Sequence, residues 1–202
     1  MIKLFERSDC PFCWKVRLVL AELGLPWESE PTALGEKHPS VLALSPAATV
    51  PVLVDGDLVL WESAVIVEYL NARYSDGRLL PADPVGQARS RQWQVYSDRV
   101  VGPALRDLVF EKRAGPPETW DEERIHASQQ QWQACLDYLE RHWGASPTFD
   151  LASCALAARA GVAEAYGAAI PERFPVLRRW YVSVKARPSW QVAYPASFIG
   201  IE

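Results

Sequence analysis

Residues 8–20 read Ser-Asp-Cys-Pro-Phe-Cys-Trp-Lys-Val-Arg-Leu-Val-Leu, a Cys-x-x-Cys motif between a predicted strand at 2–5 and a predicted helix at 11–23. The proline after Cys10 suits the first helical position, where a missing N–H leaves nothing unpaired. Cys10 therefore falls at the N-cap or just before it, where free N–H groups and the positive end of the helix dipole face its sulfur. Both favour the thiolate, which is the nucleophilic form. Cys13 lies one turn later, close enough to attack a mixed disulfide on Cys10, so we predict Cys10 and Cys13 as the catalytic residues.

Two other interpretations of this motif stay open. A zinc site needs a second half, but Cys135 and Cys154 lie far apart and the three histidines are scattered, so we expect no metal. A purely structural role is the other alternative, because free cysteines are among the most buried residues in proteins. The position of Cys10 and Cys13 between a strand and a helix favours the catalytic interpretation. Cys135 and Cys154 are expected to pack in helix cores.

The composition is that of an ordinary globular protein, with 202 residues, 49% of them hydrophobic and 23% charged. The net charge of −4 argues against a protein that binds nucleic acid or anionic membranes. No stretch approaches the roughly 20 apolar residues of a membrane span, and the N-terminal residues do not resemble a secretory signal. Four cysteines are too few for a disulfide scaffold. We therefore expect a cytoplasmic protein.

The hydrophobic pattern changes near residue 80. Before it, strands are predicted at 2–5, 27–30, 50–54 and 58–61 and helices at 11–23 and 62–74. After it, only helical patterns follow, at 85–112 with a kink at Gly102-Pro103, and then at 120–143, 150–165 and 175–187. We therefore predict an α/β domain over residues 1–76, a linker over 77–84 and an all-helical domain over 85–202.

Two further motifs belong to the same end of the predicted α/β domain. A cis bond between Val50 and Pro51 would turn the Val50 N–H and C=O outward, free to pair with an extended peptide. Cis bonds are uncommon even before proline, so the residues alone leave the isomer open. Glu62 and Ser63 either cap the helix that they begin or hold an ammonium and a carboxylate group. A ligand for all of these residues would need a thiol beside Cys10, a peptide backbone beside Val50 and an α-amino-carboxylate end beside Glu62 and Ser63. Glutathione has all three.

The sequence resembles the cytosolic glutathione transferases in four segments that follow the family's order along nearly the whole chain. They are residues 8–20, Ser45-Pro46 through Val50-Pro51-Val52-Leu53, Leu60-Trp61-Glu62-Ser63-Ala64-Val65-Ile66 through Tyr69-Leu70, and Phe149-Asp150-Leu151-Ala152-Ser153. Thr49 stands where the family often has a basic residue, and Lys37 is expected to substitute for it. Asp150 stands where the family's helix cap usually has Ser or Thr, and Ser153 stands where it usually has Asp. We therefore expect the same reciprocal capping bonds with the two residue types exchanged.

The resemblance implies a thioredoxin-like α/β N-terminal domain and an all-α helical C-terminal domain, usually paired as a homodimer, with a cis bond before Pro51. It also implies that glutathione is the co-substrate, in contact with Phe12, Lys37, Thr49, Val50, Pro51, Glu62 and Ser63. Cys10 is similar to the nucleophile of the cysteine-type members, namely the omega and beta classes and the glutaredoxins. These members tend toward thiol transfer and reduction more than toward conjugation of glutathione to electrophiles.

The second substrate is expected to be a small hydrophobic electrophile or a disulfide, bound against the long predicted helix. Tyr96, Val100 and Pro103 fall on one face of that helix, and Trp14 is expected to complete the substrate cleft together with Phe12. Packing between the two domains explains these residues equally well.

The alternative to an enzyme is a non-catalytic binding module of the same family, such as a stress-response or scaffold protein. Such proteins usually lack the nucleophile, so the presence of Cys10 and Cys13 favours catalysis.

Overall fold

The computed structural model describes residues 1–33, 35, 38–143 and 148–198. Within them the chain forms two compact units. The first unit combines Met1–Gln87 with the described part of Arg187–Glu202, and the second unit is Ala88–Ala186.

A four-stranded mixed sheet forms the centre of the first unit. Its strands are β1 (Ile2–Glu6), β2 (Trp27–Pro31), β3 (Val52–Asp55) and β4 (Leu58–Trp61), in the spatial order β2-β1-β3-β4. β1 is parallel to β2 and antiparallel to β3. The two central strands are apolar and largely buried, whereas the edge strand β2 is mostly exposed, as its alternating glutamates require. β3 and β4 form a hairpin, with Gly56 at φ +62° in the turn.

The helices complete an order close to the predicted one. They are α1 (Pro11–Glu22), α2 (Pro39–Leu44), α3 (Ser63–Ser75), α4 (Pro84–Tyr96), α5 (Gly102–Ala104), α6 (Arg106–Ala114), α7 (Glu122–His142), α8 (Leu151–Ala165), α9 (Pro175–Lys185) and α10 (Pro188–Ala193). The predicted combination of an α/β first half and a helical second half is confirmed. α2 was not predicted, because six residues are too few to establish a helical hydrophobic period. No helix in the described ranges is long and apolar enough to cross a membrane.

The predicted domain boundary at the C-terminus is wrong, because the chain returns to the first unit after α9. α10 packs along α1, and the Trp190 ring lies 4.7 Å from the Trp14 ring, centroid to centroid. Tyr194 and Phe198 cover two further sides of the same indole. Trp14 is wholly buried, so its predicted place in a substrate cleft is also wrong. A large aromatic ring on α1 needs apolar cover, and the C-terminal segment supplies it.

The long helix predicted at 85–112 is interrupted where the kink was expected. A π-helical turn, Ser97–Val101, separates α4 from α5, and α6 then starts at Arg106. Pro103 cannot donate a backbone hydrogen bond to the preceding turn. The buried Arg159 guanidinium lies where a side chain at position 102 would be, 2.8 Å from an ideal Cβ, so only glycine fits without a shift. The alanine-rich α8, which carries Arg159, is buried along most of its length.

Candidate active site

Cys10 occupies the N-cap of α1, as the sequence predicts. Its backbone is extended, its N–H donates to the Arg7 carbonyl at 3.2 Å, and its carbonyl accepts from Trp14 N–H at 2.9 Å. Pro11 fills the first helical position. This local geometry places the Cys10 side chain at the positive end of α1.

The surroundings of Cys10 lower the pKa of its thiol from 9.0 to about 6. The largest cause is a hydrogen bond with the Cys13 thiol, and burial opposes it by disfavouring the charged form. The backbone amides of Cys13 and Phe12 and the positive charge of Arg7 lower the pKa further. The amides do not make a full capping hydrogen bond to the sulfur, so they act as nearby partial positive charges. Cys10 can therefore supply a thiolate near neutral pH.

Cys13 has the opposite character, although it belongs to the same motif. It is fully buried, and this burial raises the pKa of its thiol well above 9.0. The hydrogen bond and the charge of Cys10 raise it further, and the Glu6 carboxylate adds to the effect. The pair therefore holds one proton, which stays on Cys13. Cys13 stabilises the Cys10 thiolate through the hydrogen bond between them.

Cys10 opens on a cavity of about 330 Å³ in the first unit. The other residues that line this cavity are Arg7, Thr32, Ala33, Gly35, His38, Val41, Ala48, Thr49 and Val50. The bond between Val50 and Pro51 is cis, as the family resemblance implies. Of the predicted contact residues, the structure thus brings Thr49 and Val50 together with Cys10, and Pro51 follows them just before β3.

The remaining predicted contact residues lie in other places. Phe12 stands in the first turn of α1, where its amide affects Cys10. Glu62 is exposed at the junction of β4 and α3, with φ at +69°, and the neighbouring Ser63 is buried. Neither of these two is among the residues that line the Cys10 cavity in the described part of the chain. Lys37 lies outside the described residues.

Sequence reasoning missed most of the residues that line this cavity, among them the polar side chains of Arg7, Thr32 and His38. Arg7 donates from Nε to Asp9 Oδ1 at 2.5 Å and contributes its charge to Cys10. His38 caps α2 by accepting from Ser40 N–H at Nδ1, 3.2 Å away. Its place before Pro39 is the signal for α2, because a cap followed by proline is typical of a helix start.

The predicted cleft residues Tyr96, Val100 and Pro103 line a second cavity, which lies wholly within the second unit. Its volume is about 440 Å³, and its other lining residues are Arg99, Ala104, Gln131, Ala134, Cys135 and Tyr138. Cys135 was expected to be a core residue only. It is buried, but it also reaches this cavity and hydrogen-bonds with Tyr96. Cys154 is fully buried in α8, as predicted.

Metal ligands do not cluster in the described residues. No group of three or more histidine, cysteine, aspartate or glutamate side chains is close enough there to hold an ion. Cys10 itself supplies a thiol beside the Cys13 thiol, two backbone amides and the Arg7 guanidinium.

Known proteins are similar to this chain, some over its N-terminal part and others over nearly its full length. A profile of the glutathione S-transferase N-terminal domain matches residues 4–78. Glutathione S-transferase GstB of Escherichia coli K12 is 32% identical over 199 residues, which cover 94% of this chain and 95% of GstB. A stringent starvation protein A homolog of Haemophilus influenzae is 38% identical over 91 residues, 45% of this chain and 43% of its own. The crystal structure of the theta class glutathione S-transferase from Xanthomonas axonopodis pv. citri, with glutathione bound, superposes with a TM-score of 0.84 at 27% identity, covering 96% of each chain.

Proposed function

Because the chain belongs to the glutathione S-transferase family, we propose that it is a glutathione-dependent thiol transferase with Cys10 as its nucleophile. One observation carries the proposal: a thiol whose pKa is lowered to about 6 borders an open cavity at a helix N-terminus. Such a thiol is mostly ionised at pH 7, whereas a thiol with the ordinary pKa of 9.0 is mostly protonated.

We place glutathione along the cavity that Cys10 shares with Val50. The backbone of Val50 pairs with the peptide part of glutathione, next to Pro51 and Thr49. Glu62 holds the ammonium group and Ser63 the carboxylate of the γ-glutamyl end. Arg7 and His38, which line the same cavity, face the remaining carboxylate. Arg7 provides the positive charge that Thr49 lacks, and His38 provides a hydrogen bond.

The reaction consists of two thiol–disulfide exchanges. In the first, the Cys10 thiolate attacks the glutathionyl sulfur of a mixed disulfide, R–S–S–G. The old S–S bond breaks, a Cys10–glutathione disulfide forms, and the thiolate R–S⁻ leaves and takes a proton from solvent. In the second, the thiolate of a free glutathione attacks the glutathionyl sulfur on Cys10. This releases oxidised glutathione and regenerates the Cys10 thiolate, so the net reaction is RSSG + GSH giving RSH + GSSG.

Free glutathione is a better second nucleophile than Cys13 in this scheme. Attack by Cys13 would release glutathione and leave a Cys10–Cys13 disulfide, but it requires a Cys13 thiolate. Burial, the largest cause of the raised Cys13 pKa, persists after Cys10 has reacted. Cys13 therefore serves chiefly as a hydrogen-bond donor to Cys10.

Conjugation of glutathione to a small hydrophobic electrophile is the second candidate activity. It is supported by the cavity at Tyr96, Val100 and Pro103, whose apolar lining suits the carbon skeleton of such a substrate. The similarity of part of the chain to a stringent starvation protein A homolog supports a third candidate, a non-catalytic binding module. The homodimer and the cytoplasmic location remain predictions from the family resemblance and the composition.

The test compares Cys10→Ser with Cys13→Ser and, as a control outside both cavities, Cys154→Ala. Each protein is assayed with a glutathione mixed disulfide and with 1-chloro-2,4-dinitrobenzene, a model aromatic electrophile. We expect Cys10→Ser to lower disulfide turnover by more than about 100-fold, because a hydroxyl cannot form the mixed disulfide. We expect the other two variants to stay active. Full turnover in Cys10→Ser would refute the assignment of the nucleophile. Wild-type protein that binds a glutathione matrix but turns over neither substrate would favour the binding module.

A further inference from the structure

The turn that carries Cys10 is tied to a buried arginine. Arg17, on α1, is only 6% exposed, and its guanidinium donates in three directions. Nη2 donates to the Ser8 carbonyl at 2.8 Å, Nε donates to the Ala193 carbonyl of α10 at 3.1 Å, and Nη1 donates to the Glu6 carboxylate. One planar side chain thus joins the turn before Cys10, the C-terminal helix and the end of β1.

Glu6 extends this connection to a second residue that lines the cavity. Its side chain is 4% exposed and also accepts from Ser29 Oγ on β2 at 2.8 Å. Its backbone carbonyl accepts from Thr32 N–H at 2.7 Å and from Thr32 Oγ1 at 3.1 Å. Thr32 lines the Cys10 cavity. The Glu6–Arg17 pair is therefore bonded to the Cys10 turn on one side and, through the Glu6 backbone, to Thr32 on the other.

We propose that Arg17 is a positioning residue for Cys10, which with Glu6 holds the turn at residues 7–10 so that the Cys10 sulfur meets its hydrogen-bond donors. The inference rests on the proposed function only in that Cys10 is the reacting thiol. Three groups have to be held close to that sulfur: the Cys13 thiol, which makes a hydrogen bond with it, and the amides of Phe12 and Cys13, which act as nearby partial positive charges. Hydrogen bonds weaken steeply with misalignment, so a small movement of the turn reduces their effect on the thiolate.

A merely structural role for Arg17 makes a different prediction. Any buried ion pair affects folding stability when one partner is lost, whatever lies next to it. Only a positioning role affects the ionisation and the reactivity of Cys10 while the protein remains folded. The alkylation rate of Cys10 as a function of pH therefore separates the two roles.

The experiment compares Arg17→Lys with Arg187→Lys. Lysine at position 17 keeps the charge beside Glu6, but its compact ammonium cannot reach the Ser8 and Ala193 carbonyls in the same geometry. Arg187 makes a similar two-pronged ion pair with Glu22, at the end of α1 far from Cys10, and serves as the matched control. Iodoacetamide labelling of Cys10 is followed by mass spectrometry, and thermal unfolding is recorded for each full-length variant.

We expect Arg17→Lys to move the midpoint of the alkylation profile upward by about one pH unit and to lower kcat about 10-fold with little change in the KM for glutathione. Arg187→Lys is expected to lose stability and keep the wild-type profile. A wild-type profile and kcat in folded Arg17→Lys would overturn the proposal. Loss of turnover in this variant with unchanged Cys10 alkylation would overturn it as well.

A double variant decides the question if Arg17→Lys does not fold. Glu6→Gln with Arg17→Met removes both buried charges and keeps an acceptor for Ser29, so the fold no longer contains an unpaired charge. The proposal expects this protein to fold and still to show the raised alkylation midpoint; a wild-type midpoint would contradict it. The result is independent of the Cys10→Ser test, because alkylation measures the Cys10 thiol whether or not the protein transfers glutathione.

Discussion

Two identical side chains, three residues apart, have opposite properties at the candidate site. Cys10 has a lowered pKa because it stands at the helix start beside hydrogen-bond donors and the charge of Arg7. Cys13 has a raised pKa because it is buried one turn further along. The pair therefore divides two tasks, with Cys10 as the acceptor of hydrogen bonds and Cys13 as a donor.

The hydrogen bond from Cys13 should be visible in the pH dependence of Cys10. The thiolate is the reactive form, so its alkylation rate rises as the pH passes upward through the Cys10 pKa, with a midpoint near 6 in the wild-type protein. Cys13→Ala removes the donor and is expected to shift the midpoint upward by about one pH unit. Cys13→Ser keeps a donor and should remain near the wild-type midpoint. Stopped-flow alkylation measures all three, and an unshifted Cys13→Ala profile would contradict the role of this bond.

At the scale of single elements, the N-cap of α8 shows how exchanged residue types can preserve one local structure. Asp150 Oδ1 accepts from Ser153 N–H at 2.8 Å, which is the expected capping bond. The second bond between these two residues joins their side chains, since Ser153 Oγ donates to the Asp150 carboxylate at 2.9 Å. Both side chains are buried, so each bond replaces one that water would otherwise make.

Loss of this cap should destabilise the protein more than loss of an exposed one. We expect Asp150→Ala to lower the free energy of unfolding by about 1–2 kcal/mol, because the Ser153 amide and hydroxyl then lie buried without their acceptor. Asp121 caps α7 at the surface by accepting from Arg124 N–H at 3.1 Å, and it is the control. Asp121→Ala should cost about 0.5 kcal/mol. Urea denaturation compares the two variants, and equal losses would show that burial of the cap is unimportant.

At the scale of the whole molecule, the described residues from Arg187 to Phe198 belong to the same unit as β1. They cover Trp14 of α1 and also hydrogen-bond with Arg17 and Glu22 of the same helix. The first unit therefore depends on residues distant in sequence. This dependence explains how a wholly buried indole can stand only four residues after the reacting thiol.

Removal of the Trp190 side chain should test how much the first unit depends on α10. Trp190 is 3% exposed, and Trp190→Ala is expected to lower the free energy of unfolding by about 3–5 kcal/mol, because it leaves a cavity against Trp14. Trp61 is 42% exposed on β4, and Trp61→Ala should cost less than about 1 kcal/mol. Near-ultraviolet circular dichroism during urea unfolding follows both variants. Similar losses for the two tryptophans would contradict the covering role of α10.

Most of the fold could be predicted from local patterns. The hydrophobic period of α1, the Asp-Gly turn between β3 and β4 and the break at Gly102-Pro103 each depend on a few adjacent residues. Prediction was harder where the signal was short, as in α2, or where a segment packs against residues distant in sequence, as α10 does. The same holds for the candidate site. Neighbouring residues predict the N-cap position of Cys10, whereas residues distant in sequence form the cavity around it.

The sequence by itself determined most of the order of strands and helices and placed Cys10 at a helix N-terminus, because periodicity, turn residues and capping act over a few neighbouring positions. Only the tertiary structure decided that Arg7, Thr32 and His38 share a cavity with Cys10, that Cys13 is buried, and that Trp14 packs under α10. These outcomes depend on contacts between segments far apart in the chain, and the ionisation of a thiol responds to every charge, donor and apolar group that such contacts bring near it.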